Sequence, residues 1–493
     1  MSAPGRLVAL TEAGARANGG KAEKREPDPR LIPRPHDRPP SRRDDPQNAR
    51  NLDRSGPSVK GAPLLPAASS SRRRPRVDSP PGGGRSCARP SCTDRVFSAG
   101  APHVSIQTET SLQFDLNEAQ KMLRQTVRAL AERHVAPRAA EIDEREEYPE
   151  DVFEVLKKQQ LLGVFLPEEY GGAGMGFMGG CITIEEIARF CSNCPLFIVL
   201  NMLSSRVIHL SGTEAQRRHY LTGLAKGELR GSYALTEPHA GSDAGSIRTR
   251  AERRGDRWVI RGTKCFCTGP DKADFLLVAA KTDPNAGTRG ITYFIVPTGS
   301  PGFSIGRFER KMGMKGFSTC LLHFENVEVP LENQVGELHK GFRSAMIGFN
   351  QMRPAIGARA VGLAQGCLDY ASNYAKEREA FGQAIANFQA IQFMLADMFI
   401  GIEAARLLVY RGASLVDAGH YARENAHYFS AAKAYAADMA MKVAIDSIQV
   451  LGGAGYMKDH PLERFMRDAK QIQIVEGTSQ IQRIIIARNL LGL

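Results

Sequence analysis

No stretch of the sequence approaches the ~20 uncharged apolar residues that a membrane-spanning helix requires, so no such helix is expected. Cysteine is sparse, nine residues in 493. Cys191 and Cys194 form a lone C-x-x-C, and Cys265 and Cys267 flank a phenylalanine. Neither pair has a second pair of ligands at zinc spacing. All nine cysteines, including Cys87 and Cys92, are therefore expected to be reduced thiols, as in a reducing compartment, and no metal site is expected. Positive charge is plentiful overall but nearly missing from most of the chain. Of the formal net charge of +12, residues 1–100 carry +10, with 20 Lys and Arg against 10 Asp and Glu. The near-neutral remainder offers no basic surface for nucleic acid to recognise. What is present is ordinary for a globular enzyme: 42% hydrophobic and 24% charged residues, and length enough for two to four domains.

The first hundred residues hold 15 of the 28 prolines, with Arg72-Arg73-Arg74 and the Pro80-Pro81-Gly82-Gly83-Gly84 run. Large apolar residues recur there at no period. Residues 1–111 are thus expected to form a disordered basic extension, unable to bury enough surface to offset its chain entropy. Arg95-Val96-Phe97-Ser98 resembles a mitochondrial processing site, whereas ten acidic residues are more than transit peptides usually carry. A mis-assigned upstream start gives the same appearance. The cytoplasm is the expected location, and the mitochondrial matrix the alternative if the extension is a presequence.

Beyond the extension, the hydrophobic period divides the chain in three. Residues 112–228 repeat apolar positions at three and four over 116–142, 149–160, 182–190, 196–211 and 214–225, which predicts a helical domain. Residues 229–336 change to short β-branched or alternating runs at 257–261, 275–280, 291–297, 303–308 and 319–327. Gly, Pro and Asp punctuate them, which predicts antiparallel strands in a barrel or sandwich. Residues 337–493 return to long helical patterns over 341–378, 387–418, 423–451 and 476–491, a four-helix bundle. The fold class is α+β, in the order helices, strands, helices.

Three glycine-containing stretches bear on chemistry. Tyr233-Ala234-Leu235-Thr236-Glu237-Pro238-His239-Ala240-Gly241-Ser242-Asp243 opens the β region. Its small and hydroxyl residues let backbone amides approach a flat heterocycle, or simply form a turn. Gln449-Val450-Leu451-Gly452-Gly453-Ala454-Gly455-Tyr456 follows a long helical pattern and is either a turn or a cradle for a pyrophosphate. Neither is the G-x-G-x-x-G of a dinucleotide-binding βαβ unit. Val475-Glu476-Gly477-Thr478-Ser479-Gln480-Ile481-Gln482-Arg483 reads in two ways. Glu476 is a solvated residue favoured by a helix N-terminus, or it is a general base on a loop beside a cofactor.

Taken together, the T-E-P-x-A-G-S-D, G-G-x-G-Y and E-G-T-S-Q-I-Q-R motifs, in this order on this layout, resemble the acyl-CoA dehydrogenases, nearest in pattern to the medium- and short-chain members. The resemblance covers residues 112–493 and takes in Arg353-Pro354, Val361 to Gln365, Glu377 to Gly382 and Phe388 to Phe393. It implies an FAD enzyme that dehydrogenates an acyl-CoA thioester to the trans-2-enoyl-CoA. Glu476 would abstract the α-proton, and flavin N5 would take the β-hydride. Electrons would pass to an electron-transferring flavoprotein, and the enzyme would be a homotetramer. Tyr233, Leu235, Thr236 and Ser242 would line the flavin or the CoA entrance. Phe266 would stack near the isoalloxazine, and Thr268 would bond at the N5 edge. Thr478 and Gln480 would complete the flavin contacts. Arg378, Phe381 and Gln389 would reach the FAD of a neighbouring subunit, whose ADP half Gln449, Gly452 and Gly453 would hold. Substrate contacts would come from Ser242, Asn350, Arg353 and Gly477. The base would work because burial raises a carboxylate pKa towards working pH, while its own N–H and a ribityl hydroxyl hold the thioester carbonyl.

The pattern also departs from the family. Phe266 stands where several relatives carry Trp, Asn350 where Asp is common, and Val475 where Tyr is frequent. Some branched-chain relatives place the base immediately before the arginine that Arg353 matches; here that residue is Met352, which leaves Glu476. The competing functions are an acyl-CoA oxidase, which shares the half-reaction, and a nucleic-acid-binding protein on the same shell.

Overall fold

The computed structural model describes residues 115–493; the expected disordered extension, residues 1–111, lies outside the described residues. Helix α1 (Glu118–His134) begins with a reciprocal cap. The Asn117 side chain accepts from the Gln120 N–H at 2.9 Å, and the Asn117 N–H donates to the Gln120 side chain at 3.1 Å. The apolar period over 116–142 predicts one helix, but Pro137 has no N–H to donate and crowds the turn before it. A 3-10 turn (Ala136–Arg138) therefore separates α1 from α2 (Ala139–Arg145). Next come α3 (Glu150–Lys158), α4 (Gly176–Ala188) and α5 (Leu196–Ser211), then a short helical stretch over 214–226.

The chain then forms β1 (Gly231–Ala234), β2 (Arg250–Arg254), β3 (Arg257–Thr268), β4 (Phe275–Lys281), β5 (Ile291–Pro297), β6 (Phe303–Phe308), β7 (Thr319–Pro330) and β8 (Gln334–Val335). They make one sheet in the order β6-β7-β3-β2-β4-β5-β8, with β1 beside β4. Most pairs are antiparallel, as expected. The exceptions are β1 with β4 and the short contact of β2 with β4, both parallel. The run Phe275-Leu276-Leu277-Val278-Ala279-Ala280 is continuously apolar because β4 is covered on both faces. Phe275, Leu277 and Ala279 join the main core with the helices, while Leu276, Val278 and Ala280 pack into a second core with Trp258, Phe294 and Phe324.

The C-terminal region contains the four long helical segments of the sequence pattern and one more. They are α6 (Gly341–Glu377), α7 (Gln389–Asp417), α8 (Ala426–Leu451) and α10 (Ser479–Leu490), with the additional α9 (Leu462–Ile472) before the last. A small hairpin, β9 (Glu379–Ala380) with β10 (Gln383–Ala384), joins α6 to α7. Helix α6 spans 37 residues and runs through Pro354. Gly412 of α7 makes room for that ring, since a Cβ there would lie 2.8 Å from Pro354 Cγ. Helices α4 and α6 meet backbone to backbone. A Cβ at Gly362 would lie 2.1 Å from the Glu185 carbonyl oxygen, and one at Gly366 2.0 Å from that of Arg189. This contact ties the N-terminal helices to the C-terminal ones. Charged groups seal its edge: Arg406 Nε meets Glu185 at 2.8 Å and Arg124 Nε meets Glu186 at 2.9 Å.

Candidate active site

The segment between α9 and α10 is a short loop whose geometry is over-determined. Thr478 caps α10, its hydroxyl accepting from the Ile481 N–H at 3.2 Å. Glu476 and Gly477 both adopt left-handed backbone, with φ of 55° and 84°. For glutamate this is an uncommon and costly conformation that persists only where the surroundings enforce it. Gln482 Nε2 donates to the carbonyls of Glu476 and Gly477 at 2.9 and 3.1 Å. Lys433 Nζ, from α8, donates to the Gly477 carbonyl at 2.7 Å. Asp438 of α8 receives Gln473 Nε2 at 2.7 Å and Ser479 Oγ at 3.0 Å, one on each side of the loop. Among the described residues the Glu476 N–H donates to no protein acceptor.

This loop presents a partly buried carboxyl to three buried cations. Burial pushes the Glu476 carboxyl above its ordinary value, and Lys433, Arg359 and Arg353 pull the other way without overcoming it. Arg353 on α6 donates from Nη1 to Asn350 Oδ1 at 2.6 Å and to Ser430 Oγ at 3.1 Å, while its buried Nε has no partner among the described residues. Arg359, six residues further on, donates to Gln471 Oε1 at 2.5 Å and also leaves Nε without a partner among the described residues. Burial draws both guanidinium pKa values down to about 10. Tyr233 on β1 closes the other side. Its hydroxyl lies 2.5 Å from that of Tyr293, and its ring meets Phe349 edge-on at 5.8 Å between centroids. Burial, the contact with Tyr293 and the charge of Glu476 all keep the Tyr233 phenol protonated. Glu476, Gly477, Thr478, Asn350, Arg353 and Tyr233, expected from the sequence to act together, are thus brought to one place by α6, α8, β1 and the loop.

A second group sits along β1 and β3. Leu235 is buried, and its carbonyl accepts from Lys264 Nζ at 2.9 Å. The Thr236 carbonyl accepts from the Cys265 N–H at 2.8 Å, and that of Thr268 from Ser232 Oγ at 2.8 Å. These bonds hold the 235–240 segment against the far half of β3. There the β3–β7 register shifts between Lys264 and Cys267, and Phe266 takes a φ of 56°. The bulge turns the Phe266 ring outward, 65% exposed, in a strand whose neighbours Cys265 and Cys267 are buried. Ser242 lies exposed on the following turn. Beneath this group, Glu237 and Lys264 form an ion pair at 2.8 Å with side chains 2% and 0% exposed. Burial alone would raise the Glu237 carboxyl, but Lys264 and the bonds from Thr249 and Arg248 hold it below its ordinary value.

The remaining expected residues lie in two further places. Arg378, Phe381 and Gln389 surround the β9–β10 hairpin, where Phe381 is 95% exposed at a φ of 53°. Gln449, Gly452 and Gly453 lie at the end of α8, with Gly452 at a φ of 59°. A Cβ at Gly452 or Gly453 would meet nothing within 4 Å, so open space stands before both backbones. Gln480 is exposed on the first turn of α10. Among the described residues no hydrogen bond or ion pair joins the Arg378 or Gln449 groups to Glu476. Sequence reasoning missed Lys433, Arg359, Lys264, Asp438 and Gln482. Lys433 carried a signal: it stands alone as a cation in Ser430-Ala431-Ala432-Lys433-Ala434-Tyr435-Ala436-Ala437, on the stripe that also buries Phe429, Ala436 and Ala440.

Comparison with known proteins is consistent along the chain. Acyl-CoA dehydrogenase family models match in order: the N-terminal domain over residues 117–228, the middle domain over 232–327 and the C-terminal domain over 339–491. The chain is 46% identical over 379 residues to the probable acyl-CoA dehydrogenase FadE25 of Mycobacterium tuberculosis, spanning 77% of this chain and 97% of that protein. Butyryl-CoA dehydrogenase from Megasphaera elsdenii superposes with a TM-score of 0.75 at 36% identity, over 77% of this chain and all of that one. A chain from a structure of the electron transferring flavoprotein of Acidaminococcus fermentans also gives 0.75, at 40% identity, over 77% of this chain and 99% of that one.

Proposed function

The chain belongs to the acyl-CoA dehydrogenase family, and we propose that it takes two hydrogens from the α,β bond of an acyl-CoA thioester, leaving the trans-2-enoyl-CoA, with Glu476 as the base. It is an oxidoreductase of the flavoprotein type that serves fatty acid β-oxidation. The observation that carries the assignment of the base is the Glu476 loop: a carboxyl raised by burial, on enforced left-handed backbone, beside an uncommitted N–H.

The residues present fit FAD. An aromatic ring turned outward by a bulge at Phe266 and open space before Gly452 and Gly453 suit a flat heterocycle and a diphosphate respectively. Tyr233, Leu235, Thr236, Ser242, Phe266, Thr268, Thr478 and Gln480 would hold the flavin end. Gln449, Gly452 and Gly453 would hold the ADP half, with Arg378, Phe381 and Gln389 reaching it from a second subunit. FAD held by these residues would supply the redox chemistry, as the acceptor for the hydride lost from the β-carbon.

The chain's own residues do the rest. Glu476 takes the α-proton; burial raises its carboxyl above the ordinary value, and Lys433, Arg359 and Arg353 limit that rise. The Glu476 N–H donates to the thioester carbonyl, where negative charge gathers as the proton leaves. Asn350, Arg353, Ser242 and Gly477 orient the thioester and its CoA arm.

A homotetramer would complete the flavin sites and cover Phe393, Phe399, Ile400 and Leu407 on α7, which are 49–64% exposed in the single chain. An electron-transferring flavoprotein would take the electrons, and the cytoplasm is the proposed location. The described helices include none long and apolar enough to cross a membrane. The test is anaerobic mixing of the yellow holoenzyme with straight, branched and cyclic acyl-CoAs, followed by addition of an electron-transferring flavoprotein or oxygen. Flavin bleaching with transfer to the flavoprotein is expected. Rapid peroxide formation instead would identify an oxidase, and no bleaching by any thioester would refute the assignment.

A further inference from the structure

We propose that Lys433 is a positioning residue for the Glu476 base: its ammonium pins the loop that carries the carboxylate and supplies the counter-charge that keeps it ready to accept a proton. The inference rests on Glu476 being the base.

The Lys433 side chain is 0% exposed, on the stripe of α8 that buries Phe429, Ala432, Ala436 and Ala440. A lysine is almost never buried so completely without a partner. Among the described residues Lys433 has no carboxylate oxygen within 4.0 Å, and its hydrogen bond goes to the Gly477 carbonyl at 2.7 Å. The acid five residues along the same helix, Asp438, is already committed. Asp438 is paired with Arg483 at 2.7 Å and accepts from Gln473 and Ser479. The lysine is therefore aimed at the loop rather than at a structural ion pair.

What it holds there is the peptide next to the base. Glu476 and Gly477 are consecutive left-handed residues, and among the described residues their carbonyls are occupied only by Lys433 and Gln482. Tying those carbonyls back fixes the two peptide planes that follow Glu476 and so holds the left-handed turn on which the base sits. The charged groups around Lys433 are Glu476, Arg359, Asp438 and Arg353; those around Glu476 are Lys433 on α8 and Arg359 and Arg353 on α6. Tyr233 faces Glu476 from β1 as a neutral phenol. Burial draws the Lys433 pKa down to about 8, so the ammonium remains charged at neutral pH. Of the three cations opposing the desolvation of Glu476, Lys433 acts most strongly. Without it the carboxylate is harder to form, and the base loses its proton only at higher pH.

The test uses Lys433→Met, Lys433→Gln and Lys433→Arg holoenzymes, each checked for flavin content and thermal stability. Bleaching rates are followed against pH with the fastest of the straight-chain thioesters from butyryl-CoA to palmitoyl-CoA. Met preserves the packing without the charge, and we expect it to slow bleaching about ten- to a hundredfold and to move the acidic limb to higher pH. Arg should return the limb to its wild-type position. If the Met variant does not fold, Gln against Arg makes the same comparison. A wild-type rate and limb in the uncharged variant would overturn the proposal. So would equal slowing by Met and Arg with no movement of the limb, which marks a packing role. Glu476→Gln separates the two readings. Near wild-type bleaching there removes the base itself, whereas an inactive Glu476→Gln beside an unaltered Lys433→Met removes only the role of Lys433.

Discussion

Replacing Glu476 by Gln keeps the size of the side chain and removes the basic oxygen. The backbone bonds from Gln482 and Lys433 involve main-chain carbonyls, so the loop should keep its shape. General base catalysis is worth about 10²–10⁴-fold, or roughly 3–5 kcal/mol at 1.36 kcal/mol per tenfold. A loss at the upper end is expected, because the neighbouring position on α6 holds Met352, which cannot take a proton. The sign of the stability change follows from the raised Glu476 pKa. Its neutral form suits the folded state better than its charged form, so the stability it contributes is present below the ordinary value of 4.5 and lost as pH rises through the folded value. At neutral pH the neutral Gln should therefore leave the melting temperature unchanged or raise it. The wild-type bleaching rate should itself fall off in acid at a pH above that of an ordinary glutamate. Stopped-flow bleaching under nitrogen, with flavin content and acyl-CoA binding measured in parallel, reads all of this. A variant that binds FAD and thioester yet bleaches at near wild-type rate would refute the argument, and the base would have to be another acid in the site.

Other perturbations test the frame around the site. Lys264→Met strands Glu237 in the core and should cost about 3–5 kcal/mol, with loss of flavin because the 235–240 segment is released; urea unfolding measures it. In the wild type the same pair, with the Glu237 carboxyl held down, should lose its stabilisation as pH falls below the ordinary 4.5, seen as a falling melting temperature in acid. Gly362→Ala gains about 1 kcal/mol of helix propensity, but its Cβ would meet the Glu185 carbonyl at 2.1 Å. The clash should win by about 1–3 kcal/mol, and an unchanged melting temperature would show that α4 and α6 slide apart freely. Deleting residues 1–110 should leave bleaching rate and melting temperature unchanged, as their composition implies.

Much of this protein was legible in its sequence, for a local reason. Apolar period distinguishes helix from strand without reference to distant residues, so the order helices, strands, helices could be read directly, and α5 runs over Leu196–Ser211 as its pattern implies. The break at Pro137 was legible too, had the missing N–H been weighed against the period. The short strands β1, β2 and β8 were not, because four, five or two residues carry no period and depend on the neighbour they join. Motif order singled out Glu476 together with Gly477 and Thr478, since these are adjacent in the chain. What surrounds the carboxyl was decided only by folding. Lys433, Arg353 and Arg359 reach it from two helices 43 to 123 residues earlier in the chain; the alanine-rich stripe around Lys433 signals that the lysine is buried, but nothing local reports that it points at this loop. Burial raises the pKa of the base and buried cations restrain it, and both depend on which side chains exclude water together, a property that exists only once the chain has folded.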